Sequence, residues 1–197
     1  MKTPLLGLVL AGGKSSRMGR DKAELRYHDA ETQLERSVRL LQPFCEEVFV
    51  SLSQGDERKL PFKASPLYDS LPKIRGPLCG ILSAHLEEPN SDWLILACDL
   101  PNLEESSLSK LVETFYKNTH PIPVCYRSHN NGLPEPLCTI YPASVCESFL
   151  QEVQAKGTSS PRDLLKNTKI AMIDPIDSHS LDNINTPEEY LAFCERK

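Results

Sequence analysis

The most constraining feature of the sequence is a short apolar run, Leu5–Leu10, that opens directly into a loop rich in glycine and basic residues. A nearly unbroken apolar run of this length is typical of a strand buried on both faces. Similar runs at 48–52 and 93–98 alternate with segments of helical apolar spacing at 32–44 and 78–86. Strands that alternate with helices predict an α/β doubly wound sheet.

The second half of the chain departs from this alternation. Two apolar segments, 122–126 and 136–141, flank a polar loop and predict a hairpin. Helical spacing or helix-start signals predict further helices at 106–116, 145–153, 162–165 and 187–193, and extended segments at 62–68 and 169–173. The chain of 197 residues carries no internal repeat and no linker, so we expect one domain spanning residues 1–197.

Composition excludes several classes of function. A net charge of −5, with 40% hydrophobic and 25% charged residues, is typical of a soluble globular protein and argues against a surface for nucleic acid. No apolar stretch approaches the roughly 18 residues of a membrane span, and the N-terminal run predicts a strand better than a signal peptide. The seven cysteines form no CxxC pair, which favours reduced, buried thiols and a cytoplasmic location.

The loop after the first strand, residues 10–22, has the sequence LAGGKSSRMGRDK. Glycines let a backbone turn sharply and bring its N–H groups close to an anion, and strand ends in open α/β sheets commonly bind ligands. Four cationic side chains stand within nine residues: Lys14, Arg17, Arg20 and Lys22. The P-loop motif GxxxxGK[ST] would need glycine where Leu8 stands. The dinucleotide-binding motif GxGxxG does not occur in the sequence. The loop therefore predicts phosphate binding of another kind.

These thirteen residues resemble the signature LAGGxSxRMGxDK of the MobA-type nucleotidyltransferases, a family that contains molybdenum cofactor guanylyltransferase. The resemblance implies a Rossmann-like, mostly parallel sheet with helices on both faces, similar to nucleotide-diphospho-sugar transferases. It implies nucleotide contacts for Leu10, Ala11, Gly12 and Gly13. It places Arg17 and Lys22 against the triphosphate as catalytic cations.

A carboxylate, Asp99, ends the apolar run at 93–98, two residues before Pro101. Mg²⁺ binds one or two carboxylates together with water and phosphate oxygens, so a carboxylate at a strand end suits it. An aspartate that only caps a turn before proline is the structural alternative. The family motif CDxP implies that Asp99 is a catalytic residue that holds the metal and contacts the nucleotide.

Two further blocks carry the resemblance. Asp69, followed by GPLCGI at 76–81, matches a block whose aspartate contacts the nucleotide, although by itself it is typical of a turn. Arg75 is expected near the acceptor. The block NINTPEE at 183–189 indicates a capped helix, and Asn183 or Asn185 has either a structural role or a role at the metal.

The sequence departs from some family members at two places. Ser51 stands at the position after the second strand where some members carry an asparagine that contacts the base, and we count it among the nucleotide-binding residues. The hairpin segment 134–138, expected near the acceptor, also differs.

The resemblance implies Mg²⁺-dependent transfer of GMP from GTP to the phosphate of molybdopterin, with release of pyrophosphate. Molybdoenzymes or cofactor-assembly proteins are the implied partners. A molybdopterin cytidylyltransferase, a cobinamide-phosphate guanylyltransferase and a non-catalytic nucleotide-binding module are the alternatives; a sugar-nucleotide pyrophosphorylase is disfavoured by chain length. The five histidines are scattered along the sequence without metal-ligand spacing, so we expect no metal site from them.

Overall fold

The computed structural model describes residues 3–12, 21–28, 31–157 and 160–195. The strands are β1 (Leu5–Leu10), β2 (Val48–Leu52), β3 (Ser65–Tyr68), β4 (Asp92–Ala97), β5 (Val124–Arg127), β6 (Pro134–Tyr141) and β7 (Ala171–Ile173). The helices are α1 (Gln33–Leu41), α2 (Pro77–Glu87), α3 (Glu105–Lys117), α4 (Ala143–Lys156), α5 (Pro161–Lys166) and α6 (Pro187–Glu195), with a 3₁₀ turn at Lys22–Glu24.

Within these residues the strands form one seven-stranded sheet in the order β3-β2-β1-β4-β6-β5-β7. The pairs β1–β2, β1–β4, β2–β3 and β5–β7 are parallel, whereas β6 runs antiparallel to both β4 and β5. The predicted hairpin is therefore confirmed, and it is the one departure from a parallel sheet in the described residues.

Helices cover both faces of the sheet. Leu6 and Leu8 of β1 pack in an apolar cluster with residues of α2, α4 and α5, while Leu5 and Val9 pack with residues of α1 and α3. Odd and even residues of a strand point to opposite faces, so a strand covered on both sides must be apolar throughout. The predicted fold class, a mostly parallel α/β sheet between two helical layers, is confirmed.

Most predicted elements differ from the observed ones only at their ends. The helix predicted over 32–44 begins after Thr32, whose Oγ1 accepts a hydrogen bond from the Glu35 backbone N–H at 3.2 Å while the Glu35 carboxylate accepts the Thr32 N–H at 2.7 Å. This reciprocal cap satisfies N–H groups that the first helical turn leaves open. The helix ends at Leu41; Gln42 still has helical backbone and donates its N–H to Val38 O, and Pro43 has no N–H with which to continue the helical hydrogen bonds.

The structure also tests the expectations of buried cysteine thiols and of no membrane-spanning segment. All seven cysteines are free thiols: five are buried, Cys45 is partly buried and Cys194 is exposed. The prediction of buried thiols is therefore wrong for Cys194. None of the helices in the described ranges has the length and apolarity needed to cross a bilayer.

The register of the sheet aligns the carboxyl ends of four strands. Leu10 at the end of β1 pairs with Ser51 of β2 on one side and with Ala97 of β4 on the other. Ser51 in turn pairs with Leu67 of β3. The chain continues from each of these ends into a loop at the same edge of the sheet, where the strand order reverses around β1, and ligands commonly bind at such points.

Helix α2 approaches this edge closely because it carries a glycine. A Cβ atom at Gly80 would collide with Ser51 Oγ, lie 2.9 Å from Leu10 Cδ2 and lie 3.2 Å from Ser51 Cβ. Residue 80 must therefore be glycine for α2 to pack at this distance from the ends of β1 and β2.

We predict that Gly80→Ala lowers the free energy of unfolding by about 1–2 kcal/mol, because the crowding outweighs the roughly 1 kcal/mol that alanine contributes within a helix. Denaturant unfolding of the wild type, Ser51→Ala, Gly80→Ala and the double variant would measure it. The double variant should recover part of the loss, since it removes Ser51 Oγ. A Gly80→Ala protein as stable as the wild type would contradict the packing argument.

Candidate active site

A groove of about 390 Å³ lies at the carboxyl ends of β1 to β4. Its lining includes seven of the predicted site residues: Leu10, Ala11, Gly12, Lys22, Ser51, Asp69 and Asp99. Gly13 and Arg17, the two other predicted residues, lie outside the described residues. We call this the nucleotide groove because these residues were predicted to contact a nucleotide, and the structure brings together in it segments from across the first half of the chain and Leu137 of β6.

Lys22 joins three segments of the groove. Its Nζ donates to Asp99 Oδ2 at 3.0 Å and to Asn185 Oδ1 at 2.6 Å. The lysine starts the 3₁₀ turn, which Asp21 caps by accepting the Ala23 N–H at 2.9 Å. The glycine loop, the end of β4 and the NINTPEE block therefore meet at one ammonium group.

Asp99 has the features of a metal ligand. Oδ2 contacts Lys22, whereas Oδ1 is buried and has no hydrogen-bond partner among the described residues. A buried carboxylate oxygen without a partner is costly unless a ligand satisfies it, and carboxylate oxygen is a donor that Mg²⁺ prefers. If Asp99 only capped a turn, this oxygen would accept a backbone N–H. The residues present therefore fit a divalent cation.

The balance of charge in the nucleotide groove also favours a cation. Its described lining contains three carboxylates, Asp21, Asp69 and Asp99, and one cationic side chain, Lys22. Negatively charged phosphates would meet net negative charge there unless cations from a metal or from the rest of the loop were added.

Arg58 is a residue that the sequence did not single out. Its guanidinium contacts Asp21 at 3.0 Å and Asp56 at 2.6 Å, and the side chain is largely buried. It thereby holds the residue that caps the Lys22 turn. No motif surrounds Arg58 in the sequence, so local patterns carried no signal for this contact.

Asp69 follows β3 and faces Ser51. Ser51 Oγ donates to Asp69 Oδ1 at 3.3 Å, and the Asp69 backbone N–H donates to Leu52 O at 2.9 Å. Burial raises the pKa of Asp69, and the hydrogen bond from Ser51 partly opposes this rise. These two residues, both predicted to contact the nucleotide, thus lie side by side in the groove.

A second, larger groove of about 1340 Å³ adjoins the nucleotide groove, with Pro77 and Leu137 lining both. Glu135 and Arg162 line it and contact each other at 3.3 Å, and burial raises the pKa of Glu135 despite the neighbouring guanidinium. The divergent hairpin segment, including Glu135, therefore forms part of its wall. Arg75 is exposed and is not among the lining residues of either groove.

The NINTPEE block has the structural role that the sequence left open, and a role of its asparagines at a metal stays a prediction. Thr186 Oγ1 accepts the Glu189 N–H at 3.2 Å and Glu189 accepts the Thr186 N–H at 3.1 Å, which caps α6. The Ile184 N–H donates to Asp99 O at 3.3 Å, holding the block against the end of β4. Asn185 contacts Lys22, and the exposed Asn183 lines the larger groove.

Two of the histidines, which show no metal-ligand spacing in the sequence, lie together in the structure. Within the described residues, His129 and His179 lie together with Asp182, and one ligand atom from each lies within 4.8 Å of the others. The two histidines are 50 residues apart in sequence, which is why spacing did not reveal the cluster.

Comparison with models of protein families identifies the family of the chain. Residues 7–172 match the model of the MobA-like NTP transferase domain, which covers most of the sequence. The chain belongs to the MobA-like NTP transferase family. It is therefore a nucleotidyltransferase by family; the residues that line the nucleotide groove lie within the matched region, whereas Asn185, which contacts Lys22, lies outside it.

Relatives in the family are similar over nearly the whole chain. A molybdenum cofactor biosynthesis bifunctional protein from Synechocystis sp. is 34% identical over 96% of the chain, which spans about half (53%) of that protein. A probable molybdenum cofactor guanylyltransferase from Rhodopirellula baltica is 34% identical, covering 94% of this chain and 90% of the relative.

A solved structure shows the same fold. The molybdopterin-guanine dinucleotide biosynthesis protein A from Archaeoglobus fulgidus superposes with a TM-score of 0.73 at 21% identity, covering 97% of each chain.

We predict that Asp69→Asn makes the folded protein more stable at neutral pH. Because the pKa of Asp69 is raised on folding, the folded state binds this proton more tightly than the unfolded state. Wild-type stability should therefore fall, relative to Asp69→Asn, as the pH rises from about 3.9 through the folded pKa. Urea unfolding from pH 3 to 7 would test this; a difference that does not vary with pH would contradict it.

Proposed function

We propose that this protein transfers GMP from GTP to the phosphate of molybdopterin and releases pyrophosphate. The relatives described as molybdenum cofactor guanylyltransferases support the reaction. The observation that carries the proposal is the contact of Lys22 with both Asp99 and Asn185, because it joins the loop after β1, the carboxylate proposed to hold the metal and the edge of a second groove.

In this proposal GTP occupies the nucleotide groove. Backbone groups of Leu10, Ala11, Gly12 and Gly13 contact the nucleotide, and Lys22 and Arg17 face the triphosphate. Lys22 supplies positive charge beside three carboxylates, so its contribution is local and does not depend on the net charge of −5. Ser51 and Asp69, which are hydrogen-bonded to each other, stand where the base would be recognised.

We propose that Asp99 holds Mg²⁺ through its buried Oδ1 oxygen, with Asn185 close by. When bound, Mg²⁺ would supply a Lewis acid that neutralises phosphate charge.

The chemistry needs no protein nucleophile. An oxygen of the acceptor phosphate forms a bond to the α-phosphorus of GTP, the bond from that phosphorus to the bridging oxygen breaks, and the electron pair leaves with pyrophosphate. The attacking phosphate is already an anion, so the protein contributes positioning and electrostatic stabilisation. Lys22 and Arg17 would stabilise the charge that moves onto pyrophosphate. The larger groove would hold the acceptor, because it adjoins the nucleotide groove and shares Pro77 and Leu137 with it.

The proposal also covers the cellular location of the reaction and the proteins that receive its product. One domain of residues 1–197 would carry out the transfer in the cytoplasm, and molybdoenzymes or cofactor-assembly proteins would receive the product.

We predict that Asp99→Asn lowers the rate of pyrophosphate release by about 10²–10³ at saturating Mg²⁺, because the amide cannot supply the same charge to a cation. Steady-state assays with GTP and molybdopterin would measure the loss, with circular dichroism to confirm folding. Asp174→Asn is the matched control, since Asp174 is exposed and lines neither groove. A folded Asp99→Asn enzyme with wild-type turnover would remove Asp99 from the mechanism.

The identity of the nucleotide's base is tested by a separate experiment. We predict that GTP with Mg²⁺ raises the melting temperature more than CTP, ATP or UTP does, and that GTP alone supports rapid pyrophosphate release with molybdopterin. A preference for CTP would assign a cytidylyl transfer instead. Release of pyrophosphate with cobinamide phosphate but not with molybdopterin would reassign the acceptor. Nucleotide binding without turnover on either acceptor would favour a binding module.

A further inference from the structure

A cluster of metal-ligating side chains lies outside the nucleotide groove, on the wall of the larger groove. It consists of His129, His179 and Asp182, which all line that groove. His129 belongs to the turn between β5 and β6, whereas the other two belong to the segment between β7 and α6. Two parts of the chain that are distant in sequence therefore present nitrogen and oxygen donors to one place.

The donor atoms of the cluster lie close to one another, and His179 Nδ1 and Asp182 Oδ2 are hydrogen-bonded. The Nδ1 atom of His179 lies 2.8 Å from Asp182 Oδ2, whereas Nδ1 of His129 lies 3.6 Å from Oδ1, too far for a hydrogen bond. In a tetrahedral zinc site with bonds of about 2.0–2.1 Å, neighbouring ligand atoms are separated by about 3.3 Å. The ligand atoms here all lie within 4.8 Å of one another, so small rotations of these partly exposed side chains would reach that geometry.

The segment that carries two of the ligands is held in place by its own hydrogen bonds. Asp177 Oδ1 accepts the His179 N–H at 3.0 Å, and Asp177 O accepts the Ser180 hydroxyl at 2.7 Å. The Asp182 N–H donates to His179 O at 3.1 Å, and the side chains of Ser180 and Leu181 are buried. The backbone of this turn is therefore anchored before any ligand binds, which lowers the cost of ordering it.

The turn that carries His129 is equally constrained. The Ser128 N–H donates to Leu133 O and the Gly132 N–H donates to Ser128 O, both at 2.8 Å. Asn131 Oδ1 accepts the Leu133 N–H at 3.0 Å. The rings of His129 and His179 lie edge to face with centroids 5.4 Å apart, so the two turns hold the imidazoles next to each other.

From this arrangement we propose that His129, His179 and Asp182 form a binding site for a divalent transition-metal ion such as Zn²⁺. Two imidazoles and one carboxylate favour Zn²⁺ and its neighbours over Mg²⁺, which prefers oxygen donors. Three protein ligands leave at least one coordination position for water or for a ligand in the larger groove, as in zinc sites that act on substrates. The ion would place positive charge on a groove wall, separate from the cation site at Asp99.

The experiment measures metal binding and requires neither GTP nor an acceptor, so its outcome is independent of the proposed transfer. Zn²⁺ is titrated by calorimetry into the full chain in saturating Mg²⁺, which occupies oxygen-ligand sites. We expect one Zn²⁺ per chain, an affinity at least about 10-fold weaker in His129→Ala and in His179→Ala, and unchanged affinity in Asp99→Asn. His120→Ala is the matched control, because His120 is exposed and lies outside the cluster.

At a concentration 100 times its Kd for the wild type, Zn²⁺ should also raise the melting temperature of the wild type by several degrees. It should not raise the melting temperature of the double variant His129→Ala/His179→Ala. Substitution with Co²⁺ provides a test on the wild type alone, which remains valid if a variant fails to fold. Visible bands of tetrahedral nitrogen and oxygen ligation would support the site. The proposal is overturned by a thiolate charge-transfer band, by histidine variants that bind Zn²⁺ like the wild type, or by a wild type that binds none.

Discussion

The hydrogen-bond register around Leu10 is the constraint on which the site depends. Leu10 pairs with Ser51 on one side and Ala97 on the other, so the loops after β1, β2 and β4 begin at one level of the sheet. A slip of one residue would turn every side chain of β1 to the opposite face, and both faces are buried under helices. Packing against the helices on both faces therefore holds the register, and the register sets where Asp99 and the loop after β1 meet.

Within the site that this register sets up, ion pairs between neighbouring side chains act locally. The protein is acidic overall and its nucleotide groove contains three carboxylates, yet Lys22 lies against Asp99 and Asn185. Arg58 neutralises Asp21 at the base of the same turn. Partly buried charges of opposite sign interact more strongly than exposed pairs because water screens them less. Asp21 and Asp99 therefore each have a cationic partner, Asp69 has a hydroxyl partner, and the buried Oδ1 oxygen of Asp99 fits a cation.

Much of the fold could be predicted from the sequence because its signals are local. The apolar run at 5–10 and the run at 48–52 match β1 and β2 residue for residue, and the polar loop between two β-like segments indicated the antiparallel hairpin. The groove residues from Leu10 to Asp99 were also predictable, since strand ends in a doubly wound sheet converge and the family motifs mark them. Gly13 and Arg17 stay predictions.

The sequence by itself determined which segments are strands and helices and which of them carry the motifs of the family, because periodicity and motifs lie within short stretches of chain. Only the tertiary structure decided that Asn185 reaches Lys22, that Arg58 holds Asp21 and that His129 meets His179 and Asp182. Such contacts depend on the strand order and on the paths of loops between distant elements. No spacing in the sequence encodes them, since side chains far apart in the chain become neighbours only when the sheet is assembled.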